Sequence, residues 1–164
     1  MENAQSILSE IGAKHGLELE LDENGACILE LADGRVMLIQ ERAGLGELDF
    51  VATLGPVDEE IRADVFTDLL AANFYWNDTY GATLSWNTDL EEAVIIYPLG
   101  LADATVESVE TVFTRFLELQ SAWAERFAGI VAGAREGARD EAEDDDGEDL
   151  FVENEKETDS IITA

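Results

Sequence analysis

The residues best supplied for chemistry are carboxylates: the 164-residue chain holds 38 aspartates and glutamates. Paired carboxylates do acid–base work when a cleft drives their pKa values apart. In so acidic a chain pairs fall at every spacing, so pairing alone marks no catalytic dyad. His15 is the only histidine. No serine, cysteine or second histidine sits at a relay spacing around it. Its expected role is a cation at the negative end of a helix dipole, beside Lys14. The one cysteine, Cys27, alternates with Leu29 and Leu31 in an apolar run and reads as a small core residue. A single thiol excludes an intramolecular disulfide and a multi-cysteine metal site.

Two loop patterns come near ligand-binding motifs. With Gly147 at the sixth position of a calcium loop, Asp144, Asp146 and Glu153 fall at the third, fifth and twelfth. The first position is then Ala142, so a solvated charge run is the better reading. Gly44-Leu45-Gly46 lacks the further glycine and the helix start of a phosphate loop and reads as a hairpin turn. No nucleophile elbow is present. The chain is expected to be no enzyme and to need no cofactor or metal.

Its charge bounds the partners. Nine lysines and arginines leave a formal net charge of -29. Such a charge repels nucleic acid and anionic membranes. A partner is expected to be basic or to bind through apolar surface. No apolar run is long enough to cross a bilayer and no targeting segment is visible, so the expected location is the cytoplasm.

The elements that must position any site follow from periodicity. Ala4, Ile7, Leu8 and Ile11 mark one face of a helix over 3–15, stopped by Gly16. Leu17–Leu21, Cys27–Leu31, Arg35–Arg42 and Leu48–Leu54 read as strands parted by short turns, hence antiparallel neighbours. The first run is short and reads equally as an extension of the second. Asp58 is expected to cap a second helix through Phe74. Strands Tyr80–Trp86 and Ala93–Pro98 come next. Asp103 is expected to cap a final helix with a stripe from Val106 to Phe127. The fold class is α+β: a mainly antiparallel five-stranded sheet with three helices, in the order α-β-β-β-α-β-β-α. Residues 1–130 are expected to form this domain. Residues 131–164 are expected to be an acidic, disordered tail, because they hold too few apolar side chains to offset the entropy of ordering. Within it Leu150-Phe151-Val152 reads as a short docking motif.

Two features suit binding. Val36 and Leu38 point to one face of a strand and Met37 and Ile39 to the other; Val94 and Ile96 oppose Ile95 and Tyr97 likewise. Three helices cover one face of such a sheet, and the other stays apolar unless a partner covers it. The second feature is the aromatic set Phe74, Tyr75, Trp76, Tyr80 and Trp86 at one helix-to-strand joint, expected to form a subunit interface.

These elements resemble one family, the class I type III secretion chaperones of the Tir-chaperone-like group. The likeness lies in Asn24-Gly25-Ala26-Cys27-Ile28-Leu29-Glu30-Leu31 with Asp33-Gly34, in Leu54-Gly55-Pro56, and in Leu69-Leu70-Ala71-Ala72-Asn73-Phe74 followed by Gly81-Ala82-Thr83-Leu84. It extends through Tyr97-Pro98-Leu99 and the final helix, over roughly 3–129. The loop Tyr75–Tyr80 and the long acidic tail depart from the family's pattern. The resemblance implies a homodimer that binds the N-terminal region of a secreted effector and keeps it soluble and secretion-competent. The alternative is an adaptor or regulator of the same fold outside secretion, told apart by the neighbouring genes. It further implies a dimer contact at Phe66, Leu70, Phe74, Trp76, Leu84 and Trp86. Effector contacts are implied at Ile7, Ile11, Leu29, Leu31, Val36, Leu38 and Phe50.

Overall fold

The computed structural model describes residues 3–31 and 34–148, with side chains through residue 140. Among these lie α1 (Ala4–His15), β1 (Ala26–Glu30), β2 (Val36–Arg42), β3 (Glu47–Pro56), α2 (Arg62–Ala72), β4 (Thr83–Asn87), β5 (Glu92–Gly100) and α3 (Val106–Glu148). The five strands form one antiparallel sheet in the order β1-β2-β3-β5-β4, which leaves β1 and β4 as its edges. This is the α+β order expected. Leu17–Leu21 is not a strand. Leu19 is buried there, and the Leu21 N–H bonds the side chain of Gln5 on α1 at 2.7 Å.

Local chemistry sets the helix ends. The Asn3 side chain accepts the Ser6 N–H at 2.8 Å, and Gly16, at φ 68°, closes the C-terminus of α1. At α3 the cap is Thr105 rather than Asp103. The Ser108 N–H donates to Thr105 Oγ1 at 3.2 Å and the Thr105 N–H to Ser108 Oγ at 2.9 Å. In the last turn of α1, Lys14 Nζ and His15 Nε2 lie 2.9 and 2.8 Å from the two carboxyl oxygens of Glu110 on α3. Lys14, then His15, holds the Glu110 carboxyl below its usual range. A carboxyl lowered on folding adds stability above its ordinary pKa and loses it as pH falls through the lowered value.

All three helices cover one face of the sheet. Met37, Ile39, Leu48, Phe50, Ala52, Leu84 and Ile95 point into this layer and are buried with Ile7, Leu8 and Ile11 of α1 and Val65 and Leu69 of α2. From α3 come Val109, Phe113, Phe116, Trp123 and Phe127. Phe50 sits at the centre, its ring 6.5 Å from Phe113 and 5.9 Å from Phe116.

Helix α3 does not stop near residue 130. It passes Gly129, Gly133 and Gly137 and reaches Glu148, so residues 131–148 of the expected tail are helical. An interior glycine costs a helix about 1 kcal/mol. Here burial of Val131, packing of Ala134 and Ala138, and a 2.6 Å contact from Arg135 Nη2 to Asp58 Oδ2 offset it. Asp58 makes that pair instead of the side-chain cap expected of it. Ala142, Asp144, Asp146 and Gly147 therefore stand on helical backbone, not on the sharply bent loop that calcium needs. Residues 149–164, with Leu150-Phe151-Val152 and Glu153, lie outside the described residues. A chain ending at Arg139 is expected to unfold within about 0.5 kcal/mol of the full chain, as for changes at exposed surface. One ending at Gly129 loses Val131 and Arg135 and is expected to lose about 1–3 kcal/mol. Chemical denaturation of both measures this.

Candidate binding surfaces

The strand pairing lines up one row of side chains across the helix-free face. Ile28 pairs with Leu38, Leu38 with Val51, Val51 with Ile96, and Ile96 with Thr83. Because paired residues share a face, the row runs perpendicular to the strands, one residue per strand. Val36 lies beside it and is 43% exposed, and Ile28 is 71% exposed. Leu38, Val51 and Ile96 are half-buried by their neighbours in the sheet and belong to no part of the core. The helix layer lies on the other face, although Val94 and Asp49 on this one are also buried, at 6 and 8% exposure. Acidic residues stand around it: Glu30, Glu47 and Glu92 share the face, with Arg42 engaging Glu47 at 2.9 Å and Asp49 at 2.7 Å. The surface is an apolar strip with an acidic rim, suited to an apolar segment with basic flanks.

Asp49 is the one buried carboxylate there, 8% exposed, and its Oδ1 has no partner among the described residues. Burial pushes its carboxyl above the ordinary 3.8, and Arg42 offsets only part of that. An acid whose folded pKa is raised costs the fold stability as pH rises from the ordinary to the raised value. Asp49→Asn is thus expected to be no less stable than wild type at neutral pH. Its advantage is expected to vanish on acidification to the ordinary carboxylate range. Urea unfolding at the two pH values checks the sign.

The second surface is the connection from α2 to β4. Asn73 ends α2, and its side-chain amide acts as a short piece of strand: Nδ2 donates to Leu84 O at 3.0 Å and Oδ1 accepts the Leu84 N–H at 2.9 Å. The chain then turns outward through Phe74–Trp76. Tyr75, Trp76 and Tyr80 have φ of 56°, 53° and 51°. For residues with a side chain, such left-handed backbone costs about 1–2 kcal/mol each. Asp78 pins the connection to α3. Its carbonyl accepts the Trp123 Nε1–H at 3.1 Å, and its carboxylate meets Arg126 Nη1 at 2.9 Å. Arg126 also lies over the Trp123 ring, 4.5 Å from the centroid. The strained, pinned backbone presents Phe74, Tyr75, Trp76 and Tyr80 to solvent at 72, 74, 53 and 80% exposure.

The residues expected at the dimer contact divide. Leu70, Phe74 and Trp76 are exposed on one side of this joint. Leu84 is buried in the core instead, because it faces the helices beside Ile95. Phe66 and Trp86 are half-buried with their rings tilted against each other, centroids 5.1 Å apart, and with Arg62 over the indole at 5.1 Å. Of the residues expected to touch an effector, Ile7, Ile11 and Phe50 are wholly in the core and offer no surface. Leu29 is half-buried on the helix side and Leu31 half-buried beyond β1. Val36 and Leu38 alone stand on the open strip, joined there by Ile28, Val51 and Ile96. Alternation along β1 and β3 signalled those partners, but only the register shows which faces match.

The family model described as the Tir chaperone protein (CesT) family matches residues 6–124. No curated protein matches the chain in sequence. Among solved structures it is similar to a chain of the ExsC–ExsE complex, with 19% identity, a TM-score of 0.64, and coverage of 76% of this chain and 96% of that one. It is also similar to a chain of the heterodimeric ExoU–SpcU complex from the type III secretion system of Pseudomonas aeruginosa. There the identity is 17%, the TM-score 0.59, and the coverage 79% and 98%. A third is a chain of the HopA1–SchA chaperone–effector complex, at 13% identity, TM-score 0.58, and 73% and 91% coverage.

Proposed function

The chain belongs to the Tir chaperone protein (CesT) family, and from that premise we propose that it is a type III secretion chaperone. Its client is the N-terminal region of a secreted effector, which it keeps soluble and competent for export. The observation that carries this reading is the open strip Ile28–Leu38–Val51–Ile96: an apolar row on a folded domain, running to the sheet's edge at β1. On β4 the backbone groups of Leu84 are already taken by Asn73, and on β1 those of Ala26 by Asp22, so an extended segment would pair along β1 beyond Ala26 while the strip takes its apolar side chains. Backbone pairing gives affinity without demanding one sequence. The acidic rim favours a client with basic flanks. This role needs no catalytic residue and no cofactor, and it places the protein in the cytoplasm. The protein acts as a homodimer through the exposed side of the α2–β4 joint.

Co-expression with N-terminal segments of candidate effectors tests the reading. The expected result is a client that is soluble and co-purifies with the chaperone, and that aggregates without it. Clients that stay equally soluble in its absence, or that never co-purify, defeat the proposal.

A further inference from the structure

Beside the aromatic connection lies a groove of about 570 Å³, walled by Tyr97 of β5 and by Val112, Phe116, Leu119 and Ala122 of α3, with Tyr80 at its rim. Its size is that of sites that enclose a drug-sized group, roughly 300–1,000 Å³. We propose that this groove receives Trp76 of a second copy of the chain, so that two copies exchange their aromatic tips across a two-fold axis. The proposal rests on the homodimer reading above and says how the contact is made.

Three observations select a second copy as the occupant. First, tip and groove belong to one rigid end of the molecule. Tyr80 lines the groove four residues after Trp76, and Asp78 between them is fixed to Trp123 and Arg126, directly beyond Ala122. A projection and a recess held side by side can both be satisfied by one two-fold axis, which is the condition for a closed dimer and not an open chain. Second, the backbone bends against its preference to keep the tip outward. Tyr75 and Trp76 are consecutive left-handed residues, so the ring that ought to fold onto its own domain stands away from it. Third, the charge narrows the chemistry. Two chains of net charge -29 repel, so an interface between them has to be apolar at its centre. The groove's walls are mainly apolar and aromatic, and its two charged lining residues, Arg115 and Glu118, are of opposite sign, so the apolar walls carry the attraction to a second copy. A seated indole and its neighbouring Tyr75, each burying on the order of 150 Å², supply the aromatic centre that strong interfaces share.

Sedimentation equilibrium of the full chain, as wild type, Trp76→Gly, Ala122→Glu and the double variant, tests this. Ala122 is exposed, so a charge there leaves the fold intact. Glycine at 76 relieves the left-handed strain, so it does not lower the melting temperature of the monomer measured at high dilution. Each single variant is expected to weaken the dimer at least about thirtyfold, and the double variant no further than either single one, because both remove the same contact. Losses that add independently, or a dimer untouched by Ala122→Glu, overturn the groove contact while leaving the dimer standing. A groove variant that dimerises normally but loses client assigns the groove to the client and likewise overturns it. A wild-type chain that is monomeric throughout removes the homodimer reading itself.

Discussion

Trp123→Ala lowers the free energy of unfolding by about 3–5 kcal/mol, the range for truncating a buried aromatic. Trp123 is 2% exposed and closes the core between α3 and the α2–β4 connection. Three things leave with the ring: its buried area, its N–H bond to the Asp78 carbonyl at 3.1 Å, and the surface on which Arg126 lies. The helix cannot collapse into the space, because Phe116 and Phe127 are already packed on either side along the buried stripe. Trp123→Phe keeps most of the volume and loses the hydrogen bond, worth about 0.5–1.5 kcal/mol. Leu70→Ala, at 70% exposure, changes stability by about 0.5 kcal/mol or less. Guanidinium unfolding followed by circular dichroism ranks the three. A loss below about 1 kcal/mol for Trp123→Ala shows that the connection is held by something other than α3.

The same tryptophan shows where the sequence was legible. Its place on a helical stripe with Phe113, Phe116 and Phe127 could be read from spacing alone, and so could the order of all eight elements. Periodicity reports a residue's face on its own element. It does not report what stands opposite. Asn73 illustrates this: nothing in Leu69–Phe74 says that its amide meets Leu84, eleven residues on. The α3 extension failed to show for another reason. Glycine and acid composition report only a local balance, whereas Val131, Arg135 and Ala138 are held by partners distant in sequence. The family resemblance implies Phe50 as an effector contact alongside Val36 and Leu38. The register pairs it with Ile39, on the opposite face.

Adjacent residues on β2 are therefore expected to give opposite outcomes. Met37 is fully buried under the helices, and Leu38 lies on the open strip. Met37→Glu places an unpartnered carboxylate in the core and is expected to unfold the domain, because several kcal/mol for a buried unpaired charge is of the order of the whole stability of a small domain. Leu38→Glu leaves the core intact and is expected to cost about 1 kcal/mol, the centre of the range for single substitutions. It nonetheless puts a charge in the middle of the row from Ile28 to Ile96 and adds to an already acidic rim. Binding of an effector segment, measured by calorimetry, is expected to weaken at least about a hundredfold, as for loss of a central contact. Ile96→Glu, two strands away on the same row, is expected to behave alike. An anionic hydrophobic dye gives a readout that needs no client: its fluorescence on the wild-type domain should fall in both variants. If Leu38→Glu binds client as wild type does, the client lies elsewhere, and the edge of β1 becomes the surface to test. The contrast with Met37 makes the result interpretable. One residue of offset along a strand turns a side chain from core to solvent, so a loss of binding with the fold preserved belongs to the open face alone.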